Sequence, residues 1–261
     1  MVLSIEGVIL PYERGLKLIM GTNSVLLRGK VALVTGGTRG IGRAISEHLL
    51  KEGVAVVLCG RNSTTVDHTV SELESLGHVV GVVCDVGRHE QVEALFSTLE
   101  GSFGQLDILV NNAGIRGFGK IDEVGLEQWQ DVIATNLCGP FYCSRLAVPM
   151  MRRAGNGFIV NIGSLAGKHA FAGGAAYNAS KFGLNGLTEA MMLDVRHDNI
   201  RVTTIMPGSV QTNFNGRDVK DGAWKIDPSH IAETVVHLLQ IPDRSLVSRV
   251  EIRPSRPTAK K

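Results

Sequence analysis

The sequence predicts a single α/β domain, built on a doubly wound parallel sheet of about seven strands with helices on both faces. Short β-branched runs alternate with helical segments of a dozen residues or so, which is the pattern of parallel βαβ units. Most of the runs are apolar on both faces, and glycines cluster where the runs end. A length of 261 residues suits one domain with a large core.

Strands and helices alternate from residue 30 onward. We expect strands at residues 31–35, 54–60, 79–84, 108–110, 158–162, 201–206 and 250–252, and helices at residues 40–51, 66–76, 90–100, 126–154, 175–196 and 231–239. The predicted domain spans residues 27–253, between an N-terminal extension of residues 1–26 and a C-terminal tail of residues 254–261. The pattern leaves open whether the extension is an ordered arm, a disordered segment or an artefact of start-site choice.

The composition is that of an ordinary globular protein. It is 44% hydrophobic and 20% charged with a formal net charge of +2, so we expect no nucleic-acid partner. Charged residues such as Glu6 and Lys17 interrupt the apolar pieces of the extension, so we expect neither a signal peptide nor a membrane span.

The four cysteines lie in apolar runs, which favours a reduced, cytoplasmic setting over a disulfide framework. Cys138 and Cys143 have no nearby His or Cys pair to complete a tetrahedral site, so no metal is predicted.

A glycine-rich turn follows the first predicted strand, in the order Gly36-Gly37-Thr38-Arg39-Gly40-Ile41-Gly42. Glycines permit a tight strand-to-helix turn and close backbone approach, while the free N–H groups and the helix dipole attract a pyrophosphate. The turn therefore predicts dinucleotide binding. The expected contacts are Gly36, Thr38, Arg39, Gly40, Ile41 and Gly42.

The end of the second strand indicates which dinucleotide is bound. An acid that would hold the ribose 2′-hydroxyl of NAD is absent there, and Arg61 follows the strand instead. Arg61 and Arg39 can both reach a 2′-phosphate, so the predicted cofactor is NADP(H). The alternative is that both arginines are solvated surface charges.

Three residues have the spacing of a catalytic group. Ser164 follows a predicted strand, Tyr177 comes thirteen residues later, and Lys181 lies four residues beyond it on the same helical face. Reducing a ketone requires a hydride and a proton, and a phenol can supply the proton. We expect the Lys181 ammonium and the positive nicotinamide of NADP⁺ together to lower the pKa of Tyr177, because positive charge favours phenolate.

Together these motifs resemble the short-chain dehydrogenase/reductase family in its single-domain form, over residues 27 to 253 or thereabouts. The matching segments are Thr35-Gly36-x-x-x-Gly40-x-Gly42, Asn111-Asn112-Ala113-Gly114, the Ser164, Tyr177 and Lys181 set, and Pro207-Gly208-Ser209-Val210-Gln211-Thr212. The resemblance implies a Rossmann-like fold and further cofactor contacts from Asp85, Val86, Asn112, Ala113, Gly114, Tyr177, Lys181, Pro207, Gly208, Val210 and Thr212.

The resemblance also implies roles for individual residues. Asn136 corresponds to a fourth catalytic residue that kinks its helix and anchors a water leading to the lysine, while Ser164 and Tyr177 bind the substrate. Relatives form homotetramers through the helices that correspond to residues 126–154 and 175–196. The 3-oxoacyl-carrier-protein reductases are the relatives that the chain resembles most, so a 3-oxoacyl thioester is the leading substrate.

The sequence therefore predicts an NADP-dependent oxidoreductase that transfers hydride reversibly between nicotinamide and a small carbonyl or alcohol substrate. The alternative is a catalytically silent NADP-binding redox sensor. A serine hydrolase is disfavoured because Ser164 lacks a nucleophile elbow. The pocket is expected to be formed by Ile115, Arg116, residues 165–171 and a covering stretch of residues 213–225 that includes Phe214 and Trp224.

Overall fold

The computed structural model describes residues 26–215 and 222–257. Parts of three predicted segments lie outside these residues: 1–25 of the extension, 216–221 of the covering stretch and 258–261 of the tail. None of the helices in the described ranges is long and apolar enough to cross a membrane.

Seven parallel strands form one sheet, in the order β3-β2-β1-β4-β5-β6-β7. The strands are β1 (Val31–Thr35), β2 (Ala55–Gly60), β3 (Val79–Val83), β4 (Ile108–Asn111), β5 (Gly157–Ile162), β6 (Ile200–Pro207) and β7 (Arg249–Ile252). The predicted doubly wound sheet of about seven strands is confirmed, with strand ends displaced by no more than one residue.

Seven α-helices connect the strands of the described chain. They are α1 (Gly40–Lys51), α2 (Ser63–Leu73), α3 (His89–Phe103), α4 (Leu126–Ile133), α5 (Gly139–Ala154), α6 (Ala175–Val195) and α7 (Pro228–Gln240). Helix α2 begins three residues earlier than predicted because Asn62 caps it, accepting a hydrogen bond from the Thr65 N–H at 2.9 Å.

The single helix predicted over residues 126–154 is wrong in one respect. A π-helical segment, Ala134–Cys138, separates α4 from α5. Pro140 lies in the first turn of α5 and has no N–H to donate to the carbonyl of Asn136, four residues before it, so regular α-helical bonding is lost here.

Two hydrophobic cores cover the two faces of the sheet. Alternate residues of β1 divide between them: Ala32 and Val34 pack toward α1, α2 and α7, while Leu33 packs toward α3 and α5. Because both faces are buried, consecutive strand positions can all be apolar, as in Val31 to Val34 of β1, instead of alternating with polar ones.

The strand order positions the candidate site. The chain runs outward from β1 to β3 and then returns to place β4 on the other side of β1. Connections therefore leave the carboxyl ends of β1 and β4 in opposite directions, and a crevice opens between them, which is where ligands bind in open α/β sheets.

Candidate active site

A cleft of about 1320 Å³ opens at the carboxyl ends of the strands. Most of the residues predicted to bind a dinucleotide line it: Gly36, Thr38, Arg39, Gly40, Ile41, Arg61, Asp85, Val86, Asn112, Ala113, Gly114, Pro207, Gly208, Val210 and Thr212. Ser164, Tyr177 and Lys181 line the same cleft. Residues from six different strand ends thus meet in one elongated site.

Gly42 and Asn136 are predicted site residues that do not line the cleft. Gly42 lies behind the glycine turn, and a Cβ atom there would stand 2.3 Å from the carbonyl oxygen of Gly36. Asn136 is fully buried in the π-helical segment. Both residues influence the shape of the site without lining its surface.

Close backbone packing fixes the glycine turn. Gly36 has a φ of +63°, and a Cβ atom there would lie 2.9 Å from the Cα of Ala113. The Asn112 side-chain amide donates to the carbonyls of Thr35 and Gly36 at 2.9 and 3.1 Å. The ends of β1 and β4 are therefore held together by hydrogen bonds that do not depend on a ligand.

Two arginines stand at one end of the cleft. Arg39, in the glycine turn, and Arg61, just after β2, both line it, and within the described ranges neither forms an ion pair. Arg43, one turn into α1, is instead paired with Glu72 at 3.0 Å. Two guanidinium groups are therefore available to bind an anion. They lie near the end of β2, where an acidic side chain would instead select a ribose without a 2′-phosphate.

Ser164, Tyr177 and Lys181 meet at the other end of the cleft. Ser164 follows β5, and its hydroxyl accepts from the N–H of Ala166 at 3.1 Å, while Tyr177 lies in the first turn of α6. One helical turn later, the Lys181 ammonium is buried, donates to the carbonyl of Ile162 at 2.9 Å, and lies 5.9 Å from the centre of the Tyr177 ring.

Burial dominates the acid–base properties of this trio. It raises the pKa of Tyr177 above its ordinary value, and the hydrogen bond from Ser164 only partly opposes the rise. Burial also lowers the pKa of Lys181 to about 8. In the protein without cofactor, the pKa of Tyr177 is therefore raised and not lowered as expected, because removal from water disfavours the phenolate.

The model of the short chain dehydrogenase family matches residues 30–222, most of the chain. This chain belongs to that family. A relative of similar length is an uncharacterized oxidoreductase of Staphylococcus saprophyticus, 34% identical over 232 residues, which covers 88% of this chain and 99% of the relative. An uncharacterized oxidoreductase of Staphylococcus aureus is 33% identical over 229 residues, with the same coverage.

Solved structures share the fold along most of the chain. A metagenomic short-chain oxidoreductase in complex with NADP is 37% identical, with a TM-score of 0.79, and covers 89% of this chain and 100% of its own. A variant of actinorhodin polyketide ketoreductase with NADPH is 32% identical, with a TM-score of 0.80 and coverage of 86% and 96%. An alcohol dehydrogenase from the archaeon Thermococcus sibiricus, complexed with 5-hydroxy-NADP, is 28% identical, with a TM-score of 0.80 and coverage of 88% and 99%.

Within this family member, Asn136 bridges elements on either side of the cleft. Its side chain accepts from the N–H of Ile115 and donates to the carbonyl of the same residue, both at 2.8 Å, and it donates to the Ser180 hydroxyl at 3.1 Å. Asn136 therefore ties the segment after β4 to helix α6, which carries Tyr177 and Lys181.

Sequence reasoning missed several residues that line the cleft. Phe118, seven residues beyond the end of β4, packs edge-on against Tyr177 with 5.7 Å between ring centres. Arg253, Pro254 and Pro257 follow β7, which brings part of the predicted tail to the site. Their only sequence signal is position, since each follows a strand whose carboxyl end faces the cleft.

The residues predicted to form the pocket divide into two groups. Ile115, Leu165, Ala166, His169, Phe171, Phe214 and Trp224 line the cleft. Arg116 does not line it, and its guanidinium lies 5.8 Å from the centre of the Phe118 ring.

All four cysteines are free thiols. Cys59 and Cys84 line the cleft, and a hydrogen bond with the Cys59 thiol, together with burial, raises the pKa of Cys84. In the part of the chain that the structure describes, no three His, Cys, Asp or Glu side chains are grouped to hold a metal ion.

Proposed function

We propose that the protein is an NADP(H)-dependent oxidoreductase that transfers hydride reversibly between nicotinamide and a small carbonyl or alcohol substrate. One observation carries the proposal. The cleft begins at Arg39 and Arg61, which have no acidic partner among the described residues, and ends at Ser164 and Tyr177, with a buried lysine beside them.

The residues present fit NADP(H). Gly36 and Gly42 leave room for close backbone approach, since a Cβ atom at either would clash, and α1 begins behind the turn with a free helix N-terminus for the pyrophosphate. Arg39 and Arg61 would hold the 2′-phosphate. Asp85 and Val86 would contact the adenine. NADPH would supply the hydride.

The nicotinamide would lie at the other end of the cleft. Ala113 and Gly114 line the cleft after β4, and Pro207, Gly208, Val210 and Thr212 line it after β6. These segments would place the nicotinamide ring beside Tyr177, on the strength of the family resemblance.

Tyr177 would act as the acid in reduction. The Ser164 hydroxyl donates a hydrogen bond to the substrate oxygen, and Tyr177 gives its proton to that oxygen as negative charge develops there. The raised pKa keeps the phenol protonated at neutral pH, which suits proton donation. The Lys181 ammonium then stabilises the phenolate that remains.

Asn136 would act as a positioning residue. Its three hydrogen bonds hold the Ile115 segment and α6 at a fixed separation, which sets the width of the cleft near Lys181. The family resemblance adds a water between this region and the lysine, completing a route by which Tyr177 regains its proton.

Two finer assignments are also proposed. A 3-oxoacyl thioester is one substrate that such a site would reduce, supported by resemblance alone. A cytoplasmic homotetramer is supported by the free thiols and by large apolar side chains exposed on α4, α5 and α6: Leu126, Trp129, Phe141, Phe182 and Leu193.

The cofactor assignment is tested by steady-state kcat/KM with NADPH and with NADH on a panel of activated ketones. We expect NADPH to be preferred by at least tenfold or so, and Arg61→Ala chiefly to raise the KM for NADPH, because one guanidinium–phosphate contact contributes about 1–4 kcal/mol. Arg145→Ala, an arginine on α5 that does not line the cleft, is the matched control. A preference for NADH contradicts the assignment, and NADPH binding without turnover of any ketone favours the redox sensor.

A further inference from the structure

Three phenylalanines form an aromatic wall at the substrate end of the cleft: Phe118 and Phe214 pack against Tyr177, and Phe171 packs against Phe118. Phe118 and Phe171 each leave 43% of their surface exposed, Phe214 leaves 37%, and all three line the cleft. Large apolar side chains this exposed carry surface that water solvates poorly. Here that surface is concentrated around the proposed proton donor.

The rings are arranged around Phe118. Phe118 meets Phe171 at 5.5 Å between ring centres with an interplanar angle of 85°, and it meets Tyr177 at 5.7 Å and 88°. Phe214 lies 6.2 Å from Tyr177. Edge-to-face packing of this kind leaves ring faces and edges available to a further aromatic ring.

Hydrogen bonds to the backbone hold the Phe118 and Phe171 segments of this aromatic wall in place. The N–H of Gly119, next to Phe118, donates to the carbonyl of Gly173 at 2.9 Å, and the Asn178 side chain donates to the carbonyl of Phe171 at 3.0 Å. These bonds tie the wall to the start of α6, where Tyr177 lies. The wall is thus formed before any substrate binds, which lowers the entropic cost of binding.

The charges that line the cleft disfavour a cationic substrate, and the Lys181 ammonium beside Tyr177 already donates to the carbonyl of Ile162 at 2.9 Å. Of the described residues that line the cleft, the one with a carboxylate is Asp85, which follows β3 on the side of the sheet away from Tyr177. Arg253 lines the cleft but is hydrogen-bonded to Glu251 at 2.9 Å. An uncharged, flat, apolar group therefore complements the surface best.

We propose that the site takes aromatic ketones and the corresponding secondary alcohols, with the substrate ring packed against Phe118, Phe171 and Phe214. The inference rests on the proposed function. Hydride from NADPH adds to the carbonyl carbon, the C=O π electrons move to oxygen, and that oxygen takes the Tyr177 proton. The products are a secondary alcohol and NADP⁺.

The test compares acetophenone with cyclohexyl methyl ketone, which has the same carbon skeleton without the aromatic ring. The measured quantity is the ratio of kcat/KM for the two ketones with NADPH. We expect Phe118→Leu, Phe171→Leu and Phe214→Leu each to lower this ratio about three- to tenfold, because an aromatic pair is lost while the apolar surface remains.

Phe103→Leu is the matched control, since Phe103 ends α3 and packs on His78 away from the cleft. We expect it to leave the ratio unchanged. The inference is overturned if the three cleft variants also leave the ratio unchanged, or if the wild-type protein reduces 2,3-butanedione but neither ring-bearing ketone.

Failure of the proposed function is distinguishable from failure of this inference. If no ketone is reduced, the proposed function fails, and calorimetry of acetophenone against the protein with NADP⁺ still decides the substrate class. Binding that is weakened in Phe118→Leu and retained in Phe103→Leu supports the aromatic site. Equal binding in both variants, or none in the wild type, overturns it.

Discussion

Burial of the Lys181 ammonium in the site destabilises the folded protein. The ammonium is buried and its pKa is lowered to about 8 from an ordinary 10.5, so the folded state binds this proton less tightly than the unfolded state does. Between these two values the unfolded chain holds more protons, and stability rises as the pH rises. Below pH 8 the folded protein carries the full cost of a buried charge.

Removing that charge is expected to stabilise the protein while it abolishes activity. The lowered pKa of Lys181 corresponds to a destabilisation of about 3 kcal/mol. In the variant the carbonyl of Ile162 loses its hydrogen-bond partner, which costs about 1–2 kcal/mol. Lys181→Met should therefore raise the free energy of unfolding by about 1–2 kcal/mol at pH 7, and at pH 10 it should leave that free energy unchanged or lower it by up to about 1 kcal/mol.

Denaturant unfolding at the two pH values measures this gain. Lys120→Met, at a side chain that is 74% exposed, is the control and should change stability by less than about 0.5 kcal/mol. A Lys181→Met protein that is less stable than the wild type at pH 7 would contradict the account.

The same residue predicts a pH dependence for reduction. Since the ammonium stabilises the Tyr177 phenolate left by proton donation, kcat/KM for a ketone should stay level below pH 8 and fall as the pH rises through the Lys181 pKa of about 8. The measurement is ketone reduction at saturating NADPH from pH 6 to pH 10, with NADPH affinity followed by fluorescence over the same range. A reduction rate that climbs across this range would be inconsistent with a protonated lysine.

Among the elements of the fold, the glycine turn between β1 and α1 requires a residue without a side chain at position 42. A Cβ atom at Gly42 would lie 2.3 Å from the Gly36 carbonyl oxygen, which is backbone and cannot swing away. Gly42→Ala should therefore shift the turn, destabilise the fold by about 1–3 kcal/mol and weaken NADPH binding by tenfold or so.

Gly101 provides the matched glycine. It lies within α3, and a Cβ atom there meets nothing within 4 Å, so Gly101→Ala should stabilise the protein by about 0.5–1 kcal/mol. Thermal unfolding and NADPH titration of the two variants side by side make the comparison. Normal NADPH affinity in Gly42→Ala would mean that the turn does not set the binding geometry.

The features predicted correctly from sequence are those that depend on local pattern. Apolar runs such as that of β1 and the glycine spacing after it carry their own signal, because a strand buried on both faces and a tight turn each restrict residue type directly. The break between α4 and α5 also had a local signal, Pro140, whose missing N–H interrupts the helix.

Properties that depend on distant parts of the chain were not predictable. Phe118 contacts Tyr177 although the two residues are 59 positions apart in the sequence, and Phe118 lies in a loop without a periodic hydrophobic pattern. The direction of the Tyr177 pKa shift is set by burial, which arises only when the segments after β4, β5 and β6 assemble around the hydroxyl. A motif identifies such a residue but does not give its surroundings.

At the scale of the whole molecule, exposed apolar side chains on α4, α5 and α6 predict self-association. Phe141 and Phe182 each leave 46% of their surface exposed, and Leu126 leaves 81%. Burying such a surface between copies is favourable, since apolar area contributes about 25 cal/mol per Å². We expect sedimentation to give a tetramer of 28.0 kDa chains, and Phe141→Asp to dissociate it. A single 28.0 kDa species for the wild type would contradict this expectation.

If Tyr177 supplies the proton in an NADPH-dependent reduction, removing its hydroxyl should abolish turnover, which is measured as ketone-dependent NADPH oxidation by Tyr177→Phe. Tyr142→Phe, on α5 beside His89, is the control. We predict that Tyr177→Phe lowers kcat by about 10²–10⁴-fold with NADPH affinity retained, while Tyr142→Phe stays near wild type. Turnover that persists in Tyr177→Phe would contradict the mechanism.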